Sequence, residues 1–232
     1  MRYLCSILLL TASLSAAPNI AIVLNSGDET LSLIDFQGQR EIKRVPIGKE
    51  PHHLMATPDD KFVIIANAQS NELVFLDRTT GEIKNRVKNI SDPYQIGYSP
   101  DRKWFVSVSL RLNRVDIYKP DNFQIVKRLS LPKAPSHLAF SPDSKSVFIT
   151  LQDTNQLAAI DLDTQTITWK LPIGKQPAGI LMTPDGKYLL IGILGENYVE
   201  VIDWKARKQF KKIYTGKGAH NFMAKGDGRH WF

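Results

Sequence analysis

Short apolar stretches alternate with turn residues and with stretches of alternating polarity along nearly the whole chain. Between Lys61 and Asp101 this pattern predicts four β-strands, at residues 62–66, 72–77, 83–88 and 94–99. Gly, Pro, Asn and Asp stand between the strands, as tight turns require. Beyond the apolar run near the N-terminus, no window shows a helical period. The pattern therefore predicts an all-β protein.

The same pattern recurs with a period of 42 residues and without an insertion. Four sets of positions keep this step: Asp59, Asp101, Asp143, Asp185 and Asp227; Pro51, Pro93, Pro135 and Pro177; Asn71, Asn113, Asn155 and Asn197; Asp35, Asp77, Asp161 and Asp203. Ala219 stands where a fifth proline would fall, and Lys119 interrupts the last set. Four independent sets with one spacing exclude coincidence.

A four-stranded unit of about 40 residues is typical of a blade of a β-propeller. Leucine-rich and β-helix repeats are shorter, and helical solenoids lack this strand and turn pattern. We expect a propeller over residues 18–232, with five repeats at 18–60, 61–102, 103–144, 145–186 and 187–228, and the start of a further blade at 229–232. Neighbouring blades bury the faces that a single sheet would expose.

The repeat residues resemble the YVTN-type β-propeller repeat, which is related to the haem-d1-binding propeller of periplasmic nitrite reductase. The resemblance rests on Ile-Gly-Lys-x-Pro at 47–51 and 173–177, Thr/Ser-Pro-Asp-x-Lys, Ile-Ala-Asn at 65–67 and Leu-Val-Phe-Leu-Asp at 73–77. Ser109 and Leu151 depart from it at the strand-end asparagine. The resemblance implies a ring of about seven or eight blades, of which five repeats would be a fragment. It implies little about function, since propellers host unrelated activities.

Residues 1–17 have the anatomy of a secretory signal peptide. Arg2 precedes an apolar run from Tyr3 to Leu14, and small residues follow at 15–17. The single cysteine, Cys5, lies in this segment, so the remainder could form no disulfide and could not attach a c-type haem through cysteine. We expect a periplasmic or secreted protein without a membrane span.

The formal charge of +7 comes from scattered basic pairs at equivalent points of successive repeats. These are Lys43-Arg44, Lys84 and Arg86, Lys127-Arg128 and Lys211-Lys212. Nucleic-acid binding usually needs a concentrated basic stripe, so we expect none. Lysines on exposed outer strands protect a sheet edge from pairing with other chains, which is the role we predict for the pairs. The charge leaves two kinds of binding partner open, a small anionic ligand and a protein.

Histidines concentrate at the two positions that follow each repeat proline. The first post-proline position holds His52, Tyr94, Ser136, Ala178 and His220; the second holds His53, Gln95, His137, Gly179 and Asn221. The resemblance places this strand innermost, so these residues should line the channel mouth. Our candidate cofactor-binding residues are His53, His137 and His220, with a haem-like ligand as one option. The alternative is a structural role in hydrogen bonding between blades.

No catalytic motif accompanies these histidines. The sequence contains no Gly-x-Ser-x-Gly, Walker loop, His-Glu-x-x-His or EF-hand spacing. An aspartate present in every repeat serves every blade, so we assign Asp59 and its equivalents to turns and expect no catalytic or metal-binding set. The sequence thus favours an exported binding or interaction scaffold over an enzyme. A haem-d1-type cofactor protein is the first alternative, and a lactonase-like hydrolase is the second.

Overall fold

The computed structural model describes residues 20–222, and the predicted signal peptide and the beginning of the further blade lie outside this range. The described residues form five consecutive antiparallel sheets, which we call blades 1 to 5. Blade 1 has three strands, β1 (Ile20–Asn25), β2 (Thr30–Asp35) and β3 (Arg40–Pro46), with a short 3-10 turn at Ser26–Asp28. The all-β propeller architecture predicted from the period is confirmed.

Blades 2 to 5 have four strands each, which pair in chain order. Blade 2 contains β4 (Pro51–Ala56), β5 (Phe62–Asn67), β6 (Glu72–Asp77) and β7 (Ile83–Lys88). Blade 3 contains β8 (Gln95–Tyr98), β9 (Phe105–Ser109), β10 (Arg114–Tyr118) and β11 (Ile125–Ser130). Blade 4 contains β12 (Pro135–Phe140), β13 (Ser146–Leu151), β14 (Gln156–Asp161) and β15 (Thr166–Pro172). Blade 5 contains β16 (Pro177–Met182), β17 (Tyr188–Ile193), β18 (Tyr198–Asp203) and β19 (Lys208–Tyr214).

The first strand of each four-stranded blade lies where the blades converge. Strands β4, β8, β12 and β16 contact one another from blade to blade, whereas the last strand of each blade contacts its own sheet. The sheets therefore begin at the repeat proline, and a sequence unit such as 61–102 holds three strands of one blade and the inner strand of the next. This overlap links each blade covalently to the centre of its neighbour.

Four apolar layers between adjacent blades form the core. Between blades 3 and 4, for example, Val106, Val115 and Ile117 pack against Val147 and Ile149, and all five are fully buried. The other layers lie between blades 1 and 2, blades 2 and 3, and blades 4 and 5. Sheets covered on both sides need apolar residues on both faces, which explains the near-continuous apolar runs of the middle strands.

The repeated polar residues have structural roles at turns. Asp59, Asp101, Asp143 and Asp185 each accept a hydrogen bond from the hydroxyl two residues earlier and from the backbone N–H two residues later. Asn71, Asn113 and Asn155 adopt positive φ angles, and each side-chain oxygen accepts the backbone N–H of the residue 21 positions later. These asparagines thereby fix the loop that leads into the next inner strand.

The basic pairs lie on the outer strands, as predicted. All of their members are exposed on β3, β7, β11 and β19. Within residues 20–222, no helical segment has the length and apolar character that a bilayer crossing needs.

Candidate functional site

A bulge in the inner strands sets the direction of the residues after each repeat proline. In blade 2, Pro51 pairs with Asn67, and the next pair is His53 with Ala66, which leaves His52 as the extra residue. The pairings of β12 and β16 shift at the equivalent point. A bulge re-aims side chains and interrupts the strict alternation of a strand.

His52 projects toward the inner strand of blade 3 and stacks on Tyr94. The ring centroids lie 3.8 Å apart with an interplanar angle of 30°. His52 Nδ1 lies 2.9 Å from the backbone carbonyl oxygen of Tyr94, so the tautomer with a proton on Nδ1 donates to this oxygen. The hydrogen bond fixes the ring and leaves Nε2 as the acceptor nitrogen.

His137 continues the cluster in blade 4. Its ring meets the edge of Tyr94 at a centroid distance of 5.8 Å and that of His220 at 5.4 Å. His137 is 4% exposed, whereas His220 is exposed. Four side chains from three blades and from the segment after blade 5 thus form one contiguous group, which we call the inner cluster: His52, Tyr94, His137 and His220.

The hydroxyl of Thr150 anchors the inner end of blade 4. Its Oγ1 lies 3.0 Å from Ser136 Oγ, accepts the backbone N–H of His137 at 3.1 Å and donates to the carbonyl oxygen of Ala178 at 2.8 Å. Ser136 Oγ lies 3.1 Å from His137 Nδ1, so a chain of hydroxyls orients the imidazole. Ser136 and Thr150 are completely buried.

The structure brings together two of the three histidines proposed from the sequence. His137 and His220 are members of the inner cluster, and His53 makes no aromatic contact within residues 20–222. His52 takes part instead, because the bulge turns it toward blade 3. His230 lies outside the described residues.

Adjacent inner strands are connected by hydrogen bonds of different chemistry. The carbonyl oxygen at the first post-proline position accepts from the preceding blade three times: Tyr94 from the imidazole of His52, Ala178 from the hydroxyl of Thr150, and His220 from the backbone N–H of Gly179. Between blades 3 and 4, Gln95 Oε1 instead accepts the backbone N–H of Leu138 at 2.5 Å. Residue 220 therefore occupies the position that Tyr94 and Ala178 occupy in their blades.

Arg111 connects two acidic residues beside the cluster. Its guanidinium lies 2.6 Å from a carboxylate oxygen of Glu50 and 2.6 Å from one of Asp92. The Asp92 carboxylate also accepts the backbone N–H of Arg111 and is 6% exposed. This pairing fixes the turn after β9 against the loop before β8.

Burial keeps the histidines of the inner strands neutral. It lowers the pKa of His53 to about 4 and that of His137 to about 3, and the positive charges that His220, His52 and His53 can carry lower the latter further. Burial also lowers the pKa of His52, although the Tyr94 carbonyl and Glu50 oppose this effect. At neutral pH these three imidazoles are therefore uncharged, able to donate from one nitrogen and accept at the other.

Residues 20–222 contain no group of three or more His, Cys, Asp and Glu side chains arranged to hold a metal ion. The inner cluster alone therefore does not form a complete metal site within this range. Chemically it offers an aromatic surface, imidazole nitrogens and a buried hydroxyl chain.

Comparison with known proteins places the chain in a family. The family model described as YNCE-like beta-propeller matches residues 4–232. A protein described as functionally unknown from Desulfotomaculum acetoxidans DSM 771 superposes with a TM-score of 0.76 at 17% identity, over 90% of this chain and 70% of that one. Among curated proteins, none matches the sequence significantly.

Two further solved structures share the fold. The Kuenenia stuttgartiensis hydrazine synthase superposes with a TM-score of 0.63 at 16% identity, over 91% of this chain and 88% of that one. The dihydro-heme d1 dehydrogenase NirN in complex with DHE superposes with a TM-score of 0.62 at 16% identity, over 91% of this chain and 57% of that one. The predicted relation to haem-d1 propellers is thus present at the level of the fold. The chain belongs to the YNCE-like β-propeller family.

Proposed function

We propose that this chain is an exported binding scaffold and that its ligand site is the inner cluster of His52, Tyr94, His137 and His220. The observation that carries the proposal is the contiguity of these four rings, with successive centroid distances of 3.8, 5.8 and 5.4 Å. Each ring comes from a separate repeat, so the cluster forms only when the blades are assembled.

The chemistry of the cluster favours a small planar ligand. Aromatic faces and edges stabilise a flat partner by stacking, and the neutral imidazoles of His52 and His137 add hydrogen bonds without the desolvation cost of a charge. A site of this kind needs no nucleophile or general base, in agreement with a sequence that contains no familiar catalytic motif. Ligand binding, and not turnover, is therefore the function that we propose.

Export is the second part of the proposal, and its support is the sequence of residues 1–17. A charged residue before an apolar run and small residues after it match the pattern of a secretory signal peptide. Sequencing the N-terminus of the protein recovered outside the cytoplasm tests this. We expect a new N-terminus near Pro18, and the Leu8→Arg variant should accumulate inside the cell with residue 1 retained. An uncleaved exported protein would contradict the prediction.

A haem-like cofactor is the second candidate ligand, and the orientation of two histidines favours it. His52 and His137 both engage Nδ1 in a hydrogen bond, to a backbone carbonyl and to a serine hydroxyl respectively. Histidines that bind a metal usually hold their second nitrogen in this way, which fixes the ring and directs Nε2 to the metal. Either residue would offer its Nε2 as a ligand to an iron whose other ligands come from the cofactor. Such a cofactor would supply redox or spectroscopic properties that the side chains lack.

Native mass spectrometry of the protein isolated from its own source tests the site. We expect a small ligand that is lost on activation, and an absorption band if this ligand is haem-like. The His52→Ala/His137→Ala double variant should lose the ligand, whereas Phe36→Ser, a change at a side chain that is 72% exposed, should retain it. Retention of the ligand by the double variant would exclude the inner cluster as its site.

A further inference from the structure

Two glycines of blade 5 hold the backbone of the segment that carries His220. Gly179 lies on β16 and Gly192 on β17. A Cβ atom on Gly179 would collide with the carbonyl oxygen of His220 and lie 2.7 Å from Asn221 Cα. A Cβ atom on Gly192 would lie 2.7 Å from the carbonyl oxygen of Ala219. Real Cβ atoms do not approach other atoms so closely, so only glycine at these two positions lets the backbone of residues 219–221 lie here.

Blade 5 differs in this respect from blades 2 to 4. The position of Gly179 holds His53, Gln95 and His137 in those blades, and the position of Gly192 holds Ala66, Val108 and Thr150. In blade 5 the volume of these side chains is filled by the backbone of residues 219–221. A hydrogen bond of 2.6 Å from Gly179 N–H to the His220 carbonyl oxygen fixes the arrangement.

Seating the backbone places the His220 side chain against His137. The two rings meet edge to face at 5.4 Å, and Tyr94 lies on another side of His137. His137 is 4% exposed, although it lies on an inner strand, and the imidazole that covers it belongs to an exposed residue. The His220 ring is therefore placed to screen one side of His137 from solvent.

We infer that Gly179 and Gly192 are positioning residues that hold residues 219–221 as a strap over His137. A ligand that reaches His137 must therefore displace or contact His220, so this strap controls access to His137. The inference rests on the proposed function for its biological meaning. Its structural content, the screening of His137, can be measured without any ligand.

Diethyl pyrocarbonate, which modifies accessible neutral imidazoles, is the probe, and peptide mapping by mass spectrometry gives the rate at each histidine of the full-length chain. In the unaltered protein we expect rapid modification of His220 and slow modification of His137. Gly179→Ala and His220→Ala should each raise the rate at His137 by at least about fivefold, because both remove the screen. The rate at His53, which is outside the inner cluster, serves as the internal reference.

Gly216→Ala is the matched control. This glycine precedes the strap, and a Cβ atom there would meet nothing within 4 Å, so the rate at His137 should not change. His220→Ala alters an exposed side chain and covers the case in which Gly179→Ala fails to fold. The inference would be overturned if His137 in folded His220→Ala protein were modified as slowly as in the unaltered protein. It would also be overturned if His137 in Gly216→Ala were modified as fast as in Gly179→Ala or His220→Ala. A chain that binds no ligand but shows the predicted rates would refute only the proposed function.

Discussion

The imidazole of His52 and the phenol ring of Tyr94, 42 residues later in the chain, stack at 3.8 Å, and the same imidazole hydrogen-bonds the Tyr94 carbonyl oxygen. One side chain thus connects two blades in two ways. The stack depends on the ring faces, and the hydrogen bond depends on Nδ1, so substitution can separate the two contributions.

Replacing His52 should destabilise the propeller in two steps. His52→Phe retains a ring for stacking but loses the hydrogen bond, which costs about 1 kcal/mol of unfolding free energy. His52→Ala loses both interactions and should cost about 1 kcal/mol more. Urea unfolding at pH 7.5 measures both values, with Phe36→Ser within about 0.5 kcal/mol of the unaltered protein as control. Identical stability of His52→Phe and the unaltered protein would show that the hydrogen bond contributes nothing.

Acid should destabilise the fold through His137. Its pKa is about 3 in the folded state, against an ordinary value of 6.5, so between these values the unfolded state binds more protons. Its contribution to stability is therefore complete above pH 6.5 and declines as the pH falls toward 3. Each pKa unit corresponds to about 1.4 kcal/mol. Thermal melts between pH 7.5 and pH 4 should show a smaller fall in melting temperature for His137→Gln than for the unaltered chain.

The same titration can be followed directly by NMR. Removing the neighbouring imidazole in His220→Ala should raise the pKa of His137, since both its burial and a source of positive charge decrease. A pKa of His137 that stays unchanged in this variant would contradict the close packing of the two rings.

Thr150→Val should be more destabilising than its small change in volume suggests. The substitution leaves the His137 N–H and the Ala178 carbonyl oxygen without the partner that both have in Thr150, in a fully buried place. Unpaired buried polar groups cost about 1–3 kcal/mol each, so we expect about 3 kcal/mol by urea unfolding. Thr166→Val, at an exposed residue of β15, is the matched control and should be nearly neutral. An equal loss of unfolding free energy in Thr150→Val and Thr166→Val would show that Thr150 does not anchor the inner end of blade 4.

Blade 3 contains a buried aspartate, Asp116, at a position where blade 4 has an alanine. Asp116 is fully buried, with Arg114 at 2.9 Å and Arg128 at 3.7 Å. Burial raises the pKa of this carboxyl group, against the lowering effect of the two arginines. The equivalent residues of blade 4 are Gln156, Ala158 and Lys170.

Removing Asp116 alone should cost about 3 kcal/mol, because Arg114 keeps a partly buried charge without its partner. Introducing the whole set of blade 4, Arg114→Gln with Asp116→Ala and Arg128→Lys, should restore stability to near that of the unaltered chain. Chemical denaturation of the single and the triple variant measures the difference. A triple variant as unstable as Asp116→Ala would refute this explanation.

The strands and the fold were predictable because the 42-residue period repeats both the apolar runs and the turn residues. Asp59 and Asn71, for instance, recur in successive repeats since each blade needs the same turn. The composition of the inner cluster was less predictable. Alternation predicts opposite directions for His52 and His53, but it does not show which one meets the next blade.

The bulge at His52 decided that question, and it depends on how β4 pairs with β5. Tyr94 was visible at the first post-proline position, and its aromatic character was the available signal for its role. The importance of Thr150 and Gly192 could not be inferred, because their neighbours come from other repeats. Properties shared by all repeats were thus accessible from the sequence, whereas contacts particular to one junction were not.

The junctions between inner strands use an imidazole, an amide, a hydroxyl and a bare peptide group in turn. The blades are consequently not interchangeable parts, although their sequences look like copies. A shuffled chain in which blade 4 followed blade 2 would set the His52 imidazole against Ser136 in place of Tyr94 and lose the stack. The order of the repeats therefore determines which contacts form between neighbouring blades, and engineered duplications should preserve the native neighbours.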